Sequence, residues 1–210
     1  MTIRLNGSTS GYTEIDAPAV AGSNTLVLPT GNGTADQALV TNGSGALSFA
    51  DRGRMVLETA QNSTSGTSID FTGIPSWVKR ITIMFAGVST NGTSTMLIQI
   101  GAGSVTTSGY LGSGAVVSDP NIVTSVVRGG GFAIDNAVNA TAVRSGSAIL
   151  SLMGGDNWSC FGILGRSDNA GVGLGGGYLP LGGTLDRVRI TTVNGTDTFD
   201  AGTINIMMEG

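Results

Sequence analysis

Four of the fourteen carboxylates, the one thiol and a few aromatic rings stand out as side chains of this sequence that could do chemistry. Asp197 and Asp200 stand three positions apart in "TDTFD", and Asp156 and Asp168 lie near the ends of apolar runs. Glycosidic cleavage needs two carboxyl groups about 5 to 9 Å apart, one to donate a proton and one to attack or to activate water. Asp also ends strands and shapes turns by accepting nearby backbone N–H groups. The turn-rich surroundings of all four favour that structural role. No His is present, which removes the commonest general base and zinc ligand. Cys160 is the only cysteine, so no intrachain disulfide can form. In "NWSCFGILG" it alternates with Phe161 and Ile163 and reads as a small buried strand residue. We therefore expect no catalytic group, no cofactor and no metal ion.

Two further patterns imitate functional motifs. The segment "GVGLGGGYLPLGG" at 171–183 is as glycine-rich as a phosphate loop, but no Lys-Ser/Thr pair and no helix follow it, as such a loop requires. A flexible exposed loop, or close passage of strands with no room for a Cβ, is the simpler reading. The eight N-x-S/T triplets include five Asn-Gly pairs, and turn formation accounts for them better than glycosylation. Among the aromatics, Trp77 after "GIPS" is placed to cap a core. Trp158, Tyr110 and Tyr178 lie in polar, glycine-rich surroundings where a ring could stack on a sugar, although core packing is the commoner fate of each.

What positions these residues is a chain of β-strands. The 210 residues include 35 Gly, 40% apolar residues and only 11% charged ones, with a net charge of −4 and a mean hydropathy of +0.24. That is too apolar and too weakly charged for disorder. No basic run is present to neutralise phosphates, so nucleic acid is not an expected partner. No apolar stretch approaches the roughly 20 residues of a membrane-spanning helix, and the N-terminus lacks the apolar region of a secretory signal. We expect synthesis in a cytoplasm, no membrane insertion, and exit by assembly into a particle.

Period-two alternation recurs along the chain. "KRITIMFAGV" sets Ile81, Ile83 and Phe85 against Arg80, Thr82 and Met84, and "STMLIQIGAG" sets Ile98 and Ile100 against Leu97 and Gln99. In "LDRVRITTVNGTDTFDAGTINIMMEG" we read a strand, an Asn194-Gly195 turn and a returning strand whose Ile204, Ile206 and Met208 match Val188 and Ile190. Eight to ten strands after about Met55 predict an all-β fold, with an antiparallel, jelly-roll-like β-sandwich over 53–210. Residues 1–52 differ. Their apolar pieces, with Leu26, Leu28, Leu39, Val40 and Leu47, are too short to close a core and predict burial against copies of the same segment, with packing onto the chain's own globular domain or onto a different partner protein as the alternatives.

The stretch "GSTSGYTEIDAPAVAGSNTLVLPTGNGTADQALVTNGSGALSFA" resembles a segment of fibre and other virion structural proteins of tailed bacteriophages. "NSTSGTSIDFTGIPSWVKRITIMFAGVSTNGTSTMLIQIG", "GILGRSD" and "TLDRVRITTVNGTDTFDAGTINIMME" resemble a domain at the ends of such fibre-like proteins. The resemblance implies a non-enzymatic virion component that is a homotrimer. It would be fixed to tail or capsid proteins through 1–52 and would present its β-domain to a host-surface glycan. The chain lacks the extended shaft of long tail fibres, so a capsid decoration or head-fibre protein is the alternative, and a polysaccharide depolymerase the third. Loops at the far end of such a domain would make the contact. The sequence offers "TTSGYLGSGAVVSDPNIVTS" with Tyr110 and Asp119, and "GRSDNAGVGLGGGYLP" with Arg166 and Tyr178.

Overall fold

Alternating sequence becomes extended chain almost everywhere, and the fold is all-β with antiparallel sheets. The computed structural model describes residues 3–210 apart from 21, 36, 120, 121 and 137, and the described residues include no helix. The chain divides into two units, residues 1–52 and 53–210.

The first unit holds two hairpins. Strands β1 (Ile3–Asn6) and β2 (Tyr12–Ile15) pair with Ile3 opposite Ile15 and Arg4 opposite Glu14. Arg4 is ion-paired to Glu14, and its guanidinium also lies 4.1 Å from the centre of the Tyr12 ring. Strands β3 (Gln37–Thr41) and β4 (Leu47–Asp51) pair with Leu39 opposite Phe49. Asn42 closes their turn by accepting the N–H groups of Ser44 and Ala46 on its side-chain oxygen. Val27 runs alongside, bonded to Gly45 and Leu47. No described apolar side chain of this unit is fully buried.

The second unit holds β5 (Met55–Leu57), β6 (Gln61–Asn62), β7 (Ser68–Thr72), β8 (Arg80–Thr90), β9 (Met96–Ala102), β10 (Ser104–Val105) and β11 (Leu111–Ser118). It continues with β12 (Ile122–Val127), β13 (Phe132–Ala133), β14 (Arg144–Gly154), β15 (Asn157–Arg166), β16 (Gly171–Pro180), β17 (Arg187–Thr192) and β18 (Phe199–Glu209). A nine-stranded sheet runs β12-β11-β16-β15-β14-β8-β18-β5, with β6 also on β18. A five-stranded sheet runs β10-β9-β17-β7, with β13 also on β9. Between them lies the core, where Ile81, Ile83, Leu150, Ile204 and Ile206 of the large sheet join Ile98, Ile100, Val188 and Ile190 of the small one. Each such side chain removed from water supplies about 1.5–3 kcal/mol of gross stabilisation.

Two expectations change. The strands flanking Asn194-Gly195 are not paired: β17 lies in the small sheet and β18 in the large one, so their apolar faces meet across the core. Gly195 does take a positive φ of 66°, and Asn194 accepts the N–H groups of Thr196 and Asp197, but the turn carries the chain from one sheet to the other. The two segments read as loops are largely strand: β11 and β12 form one hairpin, and β16 lies between β15 and β11. Their alternation is one of size. Gly173 and Gly175 of β16 and Gly114 of β11 face inward beneath residues 133–135, and a Cβ on Gly175 would lie 2.0 Å from the Ala133 carbonyl oxygen. This is the close passage of strands that a glycine-rich segment permits.

Candidate interaction surfaces

The side chains picked out from the sequence do not form one site. Tyr110 is 2% exposed and part of the core, which corrects its reading as a surface contact. Its ring meets Phe132 edge-on at 4.8 Å. Its hydroxyl accepts the Ile100 N–H at 2.8 Å and donates to the Thr106 carbonyl at 3.0 Å, closing the β9–β10 hairpin. Burial pushes this phenol up to about 12, although the Ile100 N–H works the other way. Trp158 is likewise buried, and Trp77 packs half-buried against the core edge. Cys160 is buried as expected, and burial pushes its thiol up to about 12.

Arg166 and Asp119 lie at one end of the large sheet, where Asp119 is exposed and its N–H bonds the Ala170 carbonyl at 2.9 Å. Arg166 is held by Asp168, with Nε donating to Oδ1 at 3.1 Å. Partial burial, the largest single influence, works to raise the Asp168 carboxyl. The Arg166 and Val143 hydrogen bonds and the Arg166 charge together outweigh it and hold the carboxyl below its ordinary value. Tyr178 is half-buried seven residues along β16 from Gly171, about 23 Å away at strand spacing, and donates to Asn157 Oδ1 at 2.8 Å. Tyr178 therefore lies toward the opposite end of β16 from Arg166 and Asp119.

The carboxylates are engaged in turns. Asp197 accepts the Ser94 N–H at 2.8 Å and the Asn194 side-chain amide at 2.5 Å, and Asp200 accepts the Ser89 hydroxyl. Among the described residues no group of three or more His, Cys, Asp or Glu is placed to hold a metal ion, and no helix is long and apolar enough to cross a membrane.

Two larger features emerge only from the fold. On the outside of the small sheet is a recess of about 380 Å³, floored by Leu97, Gln99 and Thr191 and flanked by Thr107, Arg128 and Arg189. Arg189 forms a two-bond pair with Asp70 at 2.7 and 2.9 Å. Arg128 pairs with no carboxylate among the described residues; its Nη2 lies 3.5 Å from Thr95 Oγ1 and its buried Nε has no acceptor.

The second feature is the outer face of the large sheet. Strand register aligns Ser113, Gly176, Phe161, Ile149, Thr82 and Met207 in one row across it. The next row is Ala115, Leu174, Ile163, Ser147, Met84 and Asn205. Phe161 is 55% exposed, Ile163 49% and Leu174 39%. Among the described residues its charged side chains lie only at its two ends, the Arg80–Glu209 pair at one and the exposed Asp119 and Asp200 at the other. The sequence places Phe161 and Ile163 on the strand of Cys160, opposite its buried side. The signal was present: apolar residues occupy both sides of the alternation in "CFGIL". No known protein family, curated protein or solved structure matches this chain.

Proposed function

We propose that this chain is a non-enzymatic virion structural protein of the short-fibre type. In this reading it is a homotrimer attached to the particle by residues 1–52, with the sandwich of 53–210 turned toward a host surface. The observation that carries the reading is the state of the first unit. Leu26 and Leu28 are 66% and 70% exposed, Leu39 is also exposed, and Val40 and Leu47 are only half-buried. Ile3, Leu5 and Ile15 add an exposed apolar side to the first hairpin. Such a unit gains its core by burying these side chains against copies or against a particle protein. The phage-like segments quoted above supply the particle. The recess beside Arg128 is the part of the sandwich best suited to a sugar, since it offers hydroxyl, amide and guanidinium donors over the Leu97 side chain.

Antibody labelling of purified particles tests the reading, together with light scattering of the full-length chain. The expected result is label on the particle and a mass of three chains. Unlabelled particles, or a monomer at every concentration, would overturn it. Label on the capsid rather than the tail would move the assignment to a decoration or head-fibre protein.

A further inference from the structure

We infer that the outer face of the nine-stranded sheet is a contact between copies of this chain, separate from any contact made by residues 1–52. The two outer surfaces of the sandwich supply the argument. The small sheet turns Asp70, Arg187, Arg189 and Thr191 outward, a finish suited to water. The large sheet turns Phe161, Ile163, Leu174, Ile149 and Met84 outward, and among the described residues no charged side chain lies between its two ends. The chain has charges and places them on the other side, so its low overall charge does not explain this face.

Size points the same way. Seven strand spacings of about 4.8 Å across and six residue steps of about 3.4 Å along give a flat footprint of roughly 700 Å². Six of the twelve positions in its two rows are Phe, Ile, Leu or Met and the others are Ser, Thr, Asn, Ala or Gly, and the whole face approaches the roughly 800 Å² that each partner contributes to a standard interface. The occupant is a second copy because a face without charge meets its own image without like-charge repulsion. It also carries both halves of a fit. Phe161 projects beside Gly176, its register neighbour, so every copy has a protruding ring and, next to it, a position with no side chain to fill. A surface holding both can close in a cyclic arrangement of identical chains.

The test is dilution of the full-length chain, following its mass distribution from micromolar to low nanomolar concentration. Ile163→Lys and Leu174→Lys would each bury an ammonium in the contact, and we expect each to raise the concentration for half-dissociation at least tenfold while the β-sheet circular dichroism is retained. Phe161→Ala removes the ring without adding charge and should give a smaller weakening in the same direction, which decides the matter if a Lys variant fails to fold. Leu26→Ser with Leu28→Ser probes the first unit in parallel, so failure of the trimerisation reading appears in those variants alone. Unchanged half-dissociation in the soluble Phe161→Ala, Ile163→Lys and Leu174→Lys chains would overturn the inference, as would a wild-type chain that is monomeric throughout.

Discussion

The two sheets of the sandwich bury similar inner faces and finish their outer faces in opposite ways. Outside the small sheet, Arg189 and Arg187 are paired with Asp70 and Asp186, and Thr191 donates to the Thr67 carbonyl at 2.8 Å. Outside the large sheet Phe, Ile, Leu, Val and Met alternate with uncharged Ser, Thr, Asn, Tyr, Ala and Gly across most of its width. The inner faces show how the chain folds, since both must be apolar for the sheets to meet. The outer faces show what it meets afterwards: one is made to stay wet, and the other has the composition of a surface that becomes an interior.

The largest effect should come from breaking the inside. Arg144 and Asp135 are each 2% exposed and ion-paired, and Arg144 also donates to the Ala142 carbonyl at 3.0 Å. Asp135→Ala strands a buried guanidinium, and we expect a loss of about 3–5 kcal/mol, read as a shift in urea midpoint. Next is a matched pair of glycine substitutions. Gly175→Ala drives a Cβ into the Ala133 carbonyl on the inner face and should cost about 1–3 kcal/mol. Gly165→Ala, on the outer face with its nearest contact at 3.7 Å, should leave thermal unfolding almost unchanged. A larger cost for Gly165→Ala than for Gly175→Ala would mean that the faces have been assigned the wrong way round, and equal costs would remove the distinction between them.

On the water-facing side the effects should be small. Arg189→Ala breaks a pair whose side chains are both more than a third exposed, and we expect under about 1 kcal/mol. The smallest concerns pH. The Arg187 hydrogen bond is the main cause holding the Asp186 carboxyl below its ordinary value; desolvation, the next influence, opposes it, and the Gly103 N–H and the Arg187 charge add to the lowering. A carboxyl lowered by folding stabilises the native state above its unfolded value of about 3.9 and loses that contribution as pH falls through the lower folded value. Asp186→Asn should therefore narrow the stability difference between pH 6 and pH 3 slightly, and a widened difference would contradict the assignment.

Much of the fold was legible where hydrophobicity itself alternates. Ile81, Ile83 and Phe85 are buried while Arg80 is exposed and Thr82 and Met84 are half-buried, as period two requires. On β9, however, Leu97 and Gln99 are buried as well, because Gln99 donates to the Gly130 carbonyl of an overlying loop; a covering loop leaves no mark on the period of the strand it covers. Strands β11 and β16 read as loops because most of their inward residues are Gly, which carries no hydrophobic signal, with Val116 and Leu179 the buried exceptions. The glycines' exclusion of a Cβ depends on residues 132–135, set by tertiary packing. Tyr110 illustrates the same limit. Its polar, glycine-rich neighbours suited exposure, yet its hydroxyl is satisfied by backbone groups of Ile100 and Thr106, partners that become adjacent only after the β9–β10 hairpin forms.

The central claim, that copies of the chain cover the outer face of the large sheet, can be read from thiol reactivity in the full-length protein. Cys160 is buried with its thiol pushed up to about 12, so it should stay silent, and one introduced cysteine reports alone. Ser147→Cys places that thiol amid Ile149, Ile163 and Met84, and Thr72→Cys places it on the outer side of the small sheet. We expect Ser147→Cys to be labelled slowly at micromolar concentration and rapidly on dilution, while Thr72→Cys is labelled rapidly at both. Equal rates at the two positions, or protection of Ser147→Cys that does not change with concentration, would contradict the account, the second by showing that the chain covers this face with its own residues.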